Sequence, residues 1–511
     1  MSLAPAALDP GRRRLTLLAV CVGQGMILLD NTIVNVALPA IQRGLRVTPG
    51  ALEWTINAYV LSLASLIVVG GTLGDRYGRK RLFLIGLAVF TIFSVGCGLA
   101  RSDAELIVHR ALQGVGAAIM APLSLSILVD AYAAERRTTA IGIWASVAGL
   151  GFLAGPIVGG LLIARFGWPS VFFVNVPLAL VGFIVGALAV RESRDADARA
   201  LDPAGTVLIT AGLFVLTFAL IETNAHPWLS GYTLSLGAIA LVTLAAFVIH
   251  EGRTGQPMVP FGLFRNPVFS AANLLYTLAY AALAAMFFFV TLYYQNVKGW
   301  SAIATGMSWI PLNVFFLAVS PLAGRIVRHV GMVWTVGGGF TLAGIATIGL
   351  GRLDAASPYA TAWPWYLLNG LGYGLLVPAV SSAGMSAVPV ERSGVGSGIL
   401  NSARQIGAAV GLAVLGSLSV AAVDGAWRRG VEALPDVARA QSSQLMQQVA
   451  GAEAHAVAAV LGPSALEPAL HAFMSGYRLA LTVAGLLLLL GAAVAVTTLG
   501  RRAQSAAAGA S

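Results

Sequence analysis

The sequence predicts an all-α polytopic membrane protein with fourteen transmembrane helices arranged as six, two and six. Three observations carry that expectation. Of 511 residues, 58% are hydrophobic and only 10% are charged, whereas ordinary soluble domains carry roughly 25% charged residues. Lysine and arginine concentrate in alternate loops between the apolar runs, and glycines, prolines and a Glu-Arg pair recur at a fixed offset of 256 residues.

At about 20 apolar residues per crossing, the spans fall at 15–38, 53–73, 82–100, 105–129, 139–163 and 170–190, then 206–222 and 232–249, then 268–294, 303–323, 331–351, 363–384, 398–422 and 477–499. Of the 31 basic residues, nineteen lie in one set of loops and six in the opposite short loops. Basic excess marks cytoplasmic loops, so both termini are expected in the cytoplasm. An odd number of spans would scramble that bias. The stretch 15–38 is not followed by a small-residue cleavage site, so it reads as a retained span and not a signal peptide.

The formal charge of +10 is scattered between apolar runs, unlike the patch of a nucleic-acid reader, so no nucleic-acid partner is expected. Cys21 and Cys97 lie inside apolar runs, which leaves no disulfide framework or metal-ligand spacing. No phosphate loop of the GxxxxGK[ST] type, no HExxH and no GxSxG occurs. Neither a cofactor nor an enzyme is expected.

The repeat divides the chain. A shift of 256 superposes Glu135-Arg136 on Glu391-Arg392, Gly114 on Gly370, Gly116 on Gly372, Pro122 on Pro378, Gly142 on Gly398, Gly151 on Gly407 and Gly155 on Gly411. A shift of 253 pairs Gly71 with Gly324 and Gly78 with Gly331. Eight spans separate the copies, so they share one orientation. The expected domains are a six-helix bundle at 1–190, an inserted helical pair with cytoplasmic linkers at 191–267, a second bundle at 268–499 and a cytoplasmic tail at 500–511. The extracytoplasmic loop 423–476 carries Leu445, Val449, Val457, Val460 and Leu461 at the spacing of a short surface helix. Transporter folds built from such repeats hold substrate between the bundles near the membrane centre.

Four stretches carry mechanism. Asp30 lies inside the first span, where a charge costs at least ~2.5 kcal/mol and so faces a cavity, a partner or a proton path. A role in helix packing is the alternative. Arg110 lies about 8 Å inside the fourth span and Asp30 about 13 Å inside the first, both from the outer end, so the two are matched in depth. Gln113 shares the Arg110 face. Between the second and third spans, Gly71, Gly74 and Gly78 permit a tight turn beside Asp75, Arg76 and Arg79; a merely topogenic basic loop would explain the arginines but not the glycines. In the fifth span, Gly151, Gly155, Gly159 and Gly160 make small-residue steps and Pro156 bends the helix, with ordinary close packing as the other reading. Further polar groups are candidates for a cavity: Gln24, Asn31, Asn35, Glu222, Tyr276, Tyr280, Tyr293, Tyr294, Asn401, Arg404 and Gln405. Arg404 is too far in depth to be the first partner of Asp30.

These stretches resemble the major facilitator superfamily, and within it the fourteen-span drug:proton antiporters. LDNTIVNVALP (29–39) is similar to that family's first-helix motif, GTLGDRYGRK (71–80) to the superfamily loop, RALQGVGAA (110–118) to the proton-coupling helix, GLGFLAGPIVGG (149–160) to the antiporter motif, and GSGILNSARQIGAAVG (396–411) to span 13. The resemblance implies proton coupling at Asp30 and Arg110, a cytoplasmic gate at Asp75 and Arg79, and an antiport helix shaped by Gly155 and Pro156. It implies an exporter of amphipathic drugs, antibiotics or toxic organic compounds, exchanging them for protons across a bacterial cytoplasmic membrane. Its partners are then a small organic substrate, protons and the bilayer. A dedicated exporter of one metabolite is the alternative, and a membrane-embedded enzyme or a sensor is more remote. One departure stands out: no acidic residue lies within the spans of the second block, which argues against a preference for dications.

Overall fold

The computed structural model describes residues 9–45, 49–195, 202–222, 230–254, 257, 259–432, 434 and 445–508. Among them every regular element is a helix. Among the described residues, twelve helices are long and apolar enough to cross a membrane. The other two predicted spans, 139–163 and 363–384, lie on helices of 33 and 28 residues.

The long helices of the first half are α1 (Pro10–Leu45), α2 (Pro49–Tyr77), α3 (Arg79–Leu99), α4 (Asp103–Ala131) and α5 (Ala134–Phe166), then α6 (Ser170–Phe173) running into α7 (Asn175–Ala189). α8 (Pro203–Glu222) and α9 (Gly231–Arg253) pack on each other, and α8 also lies along α2. The second half holds α10 (Pro267–Leu292), the broken series α11 (Ala302–Ser308), α12 (Ile310–Val319) and α13 (Ala323–Val330), then α14 (Met332–Leu350), α15 (Tyr359–Ser386), α16 (Ser393–Val431), α17 (Met446–Ala450), α18 (Ala454–Leu461) and α19 (Leu466–Ala508). Pro311 and Pro321 fall at the two breaks of the α11 to α13 series, where each removes a backbone donor.

Local chemistry fixes the helix ends that matter. Ser102 caps α4 by accepting from the Glu105 backbone N–H at 3.2 Å, while the Glu105 carboxylate accepts from Arg101 N–H at 2.8 Å, a reciprocal cap. Gly78 joins α2 to α3 at φ 109°, a conformation that glycine adopts without strain. The Glu192 carboxylate then accepts from the N–H groups of Lys80 and Arg81, both at 3.1 Å, at the start of α3.

Two compact units are formed. The first contains Met1–Asn273 together with Ser320–Met332 and Val377–Ala403; the second contains Leu274–Val319, Val333–Leu376 and Arg404–Ser511. All of α13, the end of α15 and the start of α16 therefore belong with the first half of the chain because their backbones interlock with it. A Cβ on Gly71 would strike the Gly394 carbonyl, one on Gly142 the Ser320 carbonyl, and one on Gly324 the Thr139 side chain.

The 423–476 segment differs from the single surface helix expected. α17 and α18 bury Val449, Val457 and Leu461 against Val423 and Trp427 of α16, Ala465 just before α19, and Ala469 and Ala472 in its first turns. Val460 is exposed and Leu445 packs at the edge. Both long helices run past their predicted spans, and the apolar sides they present there give the short helices something to cover. Residues 433 and 435–444 of this segment lie outside the described set.

Candidate functional site

The deepest charge in the first unit is Asp30, which is 0% exposed. Its Oδ2 accepts from Arg110 Nη1 at 2.5 Å, and its Oδ1 accepts from Gln113 Nε2 at 2.9 Å and Asn175 Nδ2 at 3.3 Å. The reciprocal cap places Arg110 two turns into α4, with Gln113 one turn further on the same face. Asn175 opens α7, where its amide also donates to Ser94 Oγ at 3.0 Å, and Ser94 in turn donates to the Phe172 carbonyl at 2.9 Å.

Arg110 is enclosed as completely. Its Nε donates to the Thr55 carbonyl at 3.0 Å, its Nη1 also donates to Gln113 Oε1 at 2.8 Å, and its guanidinium lies 4.3 Å from the centre of the Tyr59 ring. A buried ion pair is tolerated when such bonds satisfy the remaining lone pairs and protons. The carboxylate of α1 is thus held by α4 and α7, and a shift of α1 against them would break three bonds together. Among the described residues the buried Tyr59 hydroxyl and Asn175 Oδ1 find no hydrogen-bond partner, nor does either amide atom of Gln24 in α1. Gln24 therefore presents a buried amide with unused donors and an unused acceptor.

The second copy of the repeat has a charge-free counterpart. Shifted by 256, Asp30 becomes Met286, Arg110 becomes Tyr366 and Gln113 becomes Asn369; shifted by 253, Ser94 becomes Thr347. One contact is kept, since Asn369 meets Met286 as Gln113 meets Asp30. Asn369 Nδ2 donates to Thr347 Oγ1 at 3.1 Å and to Met286 Sδ at 3.4 Å, and Tyr366 is fully buried.

The loop glycines and charges form a latch. Asp75, near the end of α2, accepts from Arg79 Nε and from the Gly394 and Val395 N–H groups, each at 2.8 Å. Those N–H groups open α16, where free donors and the helix dipole favour an anion. Arg79 Nη2 donates to the carbonyls of Val390 and Glu391, both at 2.6 Å, just before that helix. Arg328 makes the corresponding contact in reverse, donating to the Glu135 carbonyl at 3.0 Å beside the start of α5. The Arg76 guanidinium lies over the Tyr77 ring at 5.1 Å.

In α5 the glycines face α1. A Cβ on Gly151 would lie 3.1 Å from the Gly25 carbonyl and from Leu29 N; one on Gly155 would meet the Thr32 hydroxyl; one on Gly159 would lie 2.7 Å from the Ile33 side chain. A Cβ on Gly160 would meet nothing within 4 Å among the described residues, so this glycine takes no part in the close contact. Pro156 lies in α5, but its side chain is outside the described set.

The remaining candidates scatter. Asn31 and Asn35 bond along α1, with Asn35 Nδ2 donating to the Asn31 carbonyl at 2.8 Å. Asn401 likewise turns back on Ser397 O at 2.9 Å. Tyr276 and Tyr280 make an edge contact at 5.7 Å, and Arg404 lies over Tyr280 at 5.1 Å, with Gln405 partly exposed beside it. Tyr293 and Tyr294, expected in a cavity, are packed at the end of α10. Tyr293 stacks on Tyr477 and donates to the Asp354 carbonyl at 2.8 Å, while Tyr294 stacks on Trp300. Large rings gain more from that enclosure than from a wet surface. Glu222 sits partly buried at the end of α8. Sequence reasoning missed Asn175, Ser94 and Tyr59, which are uncharged and reach Asp30 or Arg110 only through helix packing.

A Major Facilitator Superfamily model matches residues 20–412. The chain is 35% identical over 507 residues to the tetracenomycin C resistance and export protein of Streptomyces glaucescens, covering 97% of this chain and 93% of that protein. It is 35% identical over 483 residues to the multidrug resistance protein Stp of Mycobacterium tuberculosis, covering 92% and 89%. Among solved structures, the human organic anion transporter MFSD10 superposes with a TM-score of 0.60 at 14% identity, covering 96% of this chain and all of that one.

Proposed function

Because the chain belongs to the Major Facilitator Superfamily, and is by that membership a multi-pass membrane transporter and not an enzyme, we propose that it is a proton-coupled antiporter exporting amphipathic drugs, antibiotics or other toxic organic compounds. The membrane is then a bacterial cytoplasmic membrane, with both termini inside. Relatives named for resistance and export support the direction and the substrate class.

One observation carries the coupling: a fully buried carboxylate, Asp30, whose three donors come from two other helices. A proton-driven cycle needs one group that takes a proton on the outer side and releases it inside. Protonated Asp30 loses its charge-assisted bond to Arg110, so a rearrangement of α1 against α4 and α7 becomes less costly. Gly151, Gly155 and Gly159 let α1 and α5 touch along their backbones, which suits a sliding contact. Asp75 and Arg79 act as the cytoplasmic gate, latching the start of α16.

The six-plus-two-plus-six arrangement belongs to the same reading, with bundles at 1–190 and 268–499 and the inserted pair at 191–267. Inverted vesicles loaded with a pH dye test the whole proposal. Adding substrate releases protons with the unaltered protein and none with Asp30→Asn; proton release that persists in the variant overturns the assignment.

A further inference from the structure

Arg110 and Arg404 lie well inside predicted spans, whereas Arg478 stands at the edge of the last one. Arg110 has Asp30, a backbone carbonyl and a tyrosine ring. Arg404 has the ring of Tyr280 at 5.1 Å and, among the described residues, no carboxylate within ion-pair distance. It stands eleven residues after the start of α16, or ~16 Å along the helix, and is only partly buried. A guanidinium in that position calls for an anion or a water-filled space.

The backbone fixes this geometry. A Cβ on Gly407 would lie 2.5 Å from the Thr277 carbonyl, and one on Gly411 would strike Ala281, so α16 and α10 touch main chain to main chain just beyond Arg404. Tyr280 is thereby held under the guanidinium and is itself braced edge-on by Tyr276. A ring on one face of a guanidinium leaves the planar N–H edge able to receive a two-oxygen acceptor. No acidic residue lies within the predicted spans of the second repeat.

We propose that Arg404 and Tyr280 form an anion-receptive site that recognises an acidic group, a carboxylate, sulfonate or phenolate, carried on an apolar ring system. This rests on the export reading and names its substrate class. A monoanion leaving while one proton enters moves charge in the same direction twice, so the membrane potential assists both.

Anilinonaphthalene sulfonate and phenylnaphthylamine share a ring system and differ by the sulfonate. Their binding to the purified full chain in phosphatidylcholine nanodiscs tests the site without requiring proton exchange. Arg404→Gln is expected to weaken saturable sulfonate binding about tenfold or more and to leave amine binding unchanged, with Arg404→Lys intermediate. Equal sulfonate affinity in Arg404→Gln, or equal loss of both probes, overturns the proposal. A phosphatidylglycerol molecule retained by the unaltered protein, lost from Arg404→Gln and displacing the dye would reassign the site to a lipid phosphate. Failure of the proton reading shows separately, in the vesicle assay with Asp30→Asn.

Discussion

Gln113 and Asn369 stand 256 residues apart at equivalent places in the repeat, yet Gln113 donates to a carboxylate at 2.9 Å and Asn369 to a thioether at 3.4 Å. The two copies share a polar scaffold and only one carries a charge. Asp30→Asn should therefore abolish substrate-dependent proton release, whereas Met286→Leu should leave the ratio of protons to substrate unchanged. Proteoliposome stoichiometry measured at a known pH gradient decides it.

Arg110→Ala should cost far more than its volume. Removing one partner of a buried ion pair destabilises by roughly 3–5 kcal/mol, because the other charge is left enclosed. The expected outcome is a lower thermal midpoint and poor yield in detergent, partly rescued when Asp30→Asn is combined with it. A double variant no more stable than Arg110→Ala contradicts the pairing.

The glycine contacts give a graded expectation along α5. Gly155→Ala forces a methyl onto the Thr32 hydroxyl, an overpacking cost of about 1–3 kcal/mol, and should slow export. Gly160→Ala meets nothing within 4 Å and should be tolerated. Export rates and melting temperatures of both variants, compared side by side, test the difference.

Ser126 and Ser393 share a hydrogen bond of 2.6 Å close to the latch. A Ser126→Cys, Ser393→Cys pair should cross-link under mild oxidation and stop export, since both native cysteines are buried. Adding Asp75→Ala, which strips the start of α16 of its carboxylate, should lower cross-linking several-fold. Undiminished cross-linking would remove Asp75 from the latch.

The long apolar runs and the basic-residue bias made the helical membrane fold readable, because each follows from the bilayer acting on every span alike, and the 256-residue offset exposed the repeat. The matched depth of Asp30 and Arg110 was readable for the same reason. Asn175, Ser94 and Tyr59 were not: neutral side chains occur throughout membrane helices, and only rotation about each helix axis decides which face inward. Tyr293 and Tyr294 misled in the other direction, since a tyrosine's hydroxyl reads as polar while its ring seeks a packed neighbour. The small core around Trp427 was hidden because its partners lie on extensions of α16 and α19 beyond the apolar spans.

At the start of α16, Asp75 and Arg79 grip only main-chain atoms: two N–H groups and two carbonyls. Every residue except proline supplies both kinds of atom. The segment 390–395 is therefore freer to drift in sequence without loosening the hold, Gly394 excepted because a Cβ there would strike the Asp75 carboxylate and the Gly71 carbonyl, while Asp75 and Arg79 are not. Over evolutionary time the two sides of one contact carry unequal histories, and compensating changes for a lost Asp75 are to be sought outside the segment it grips.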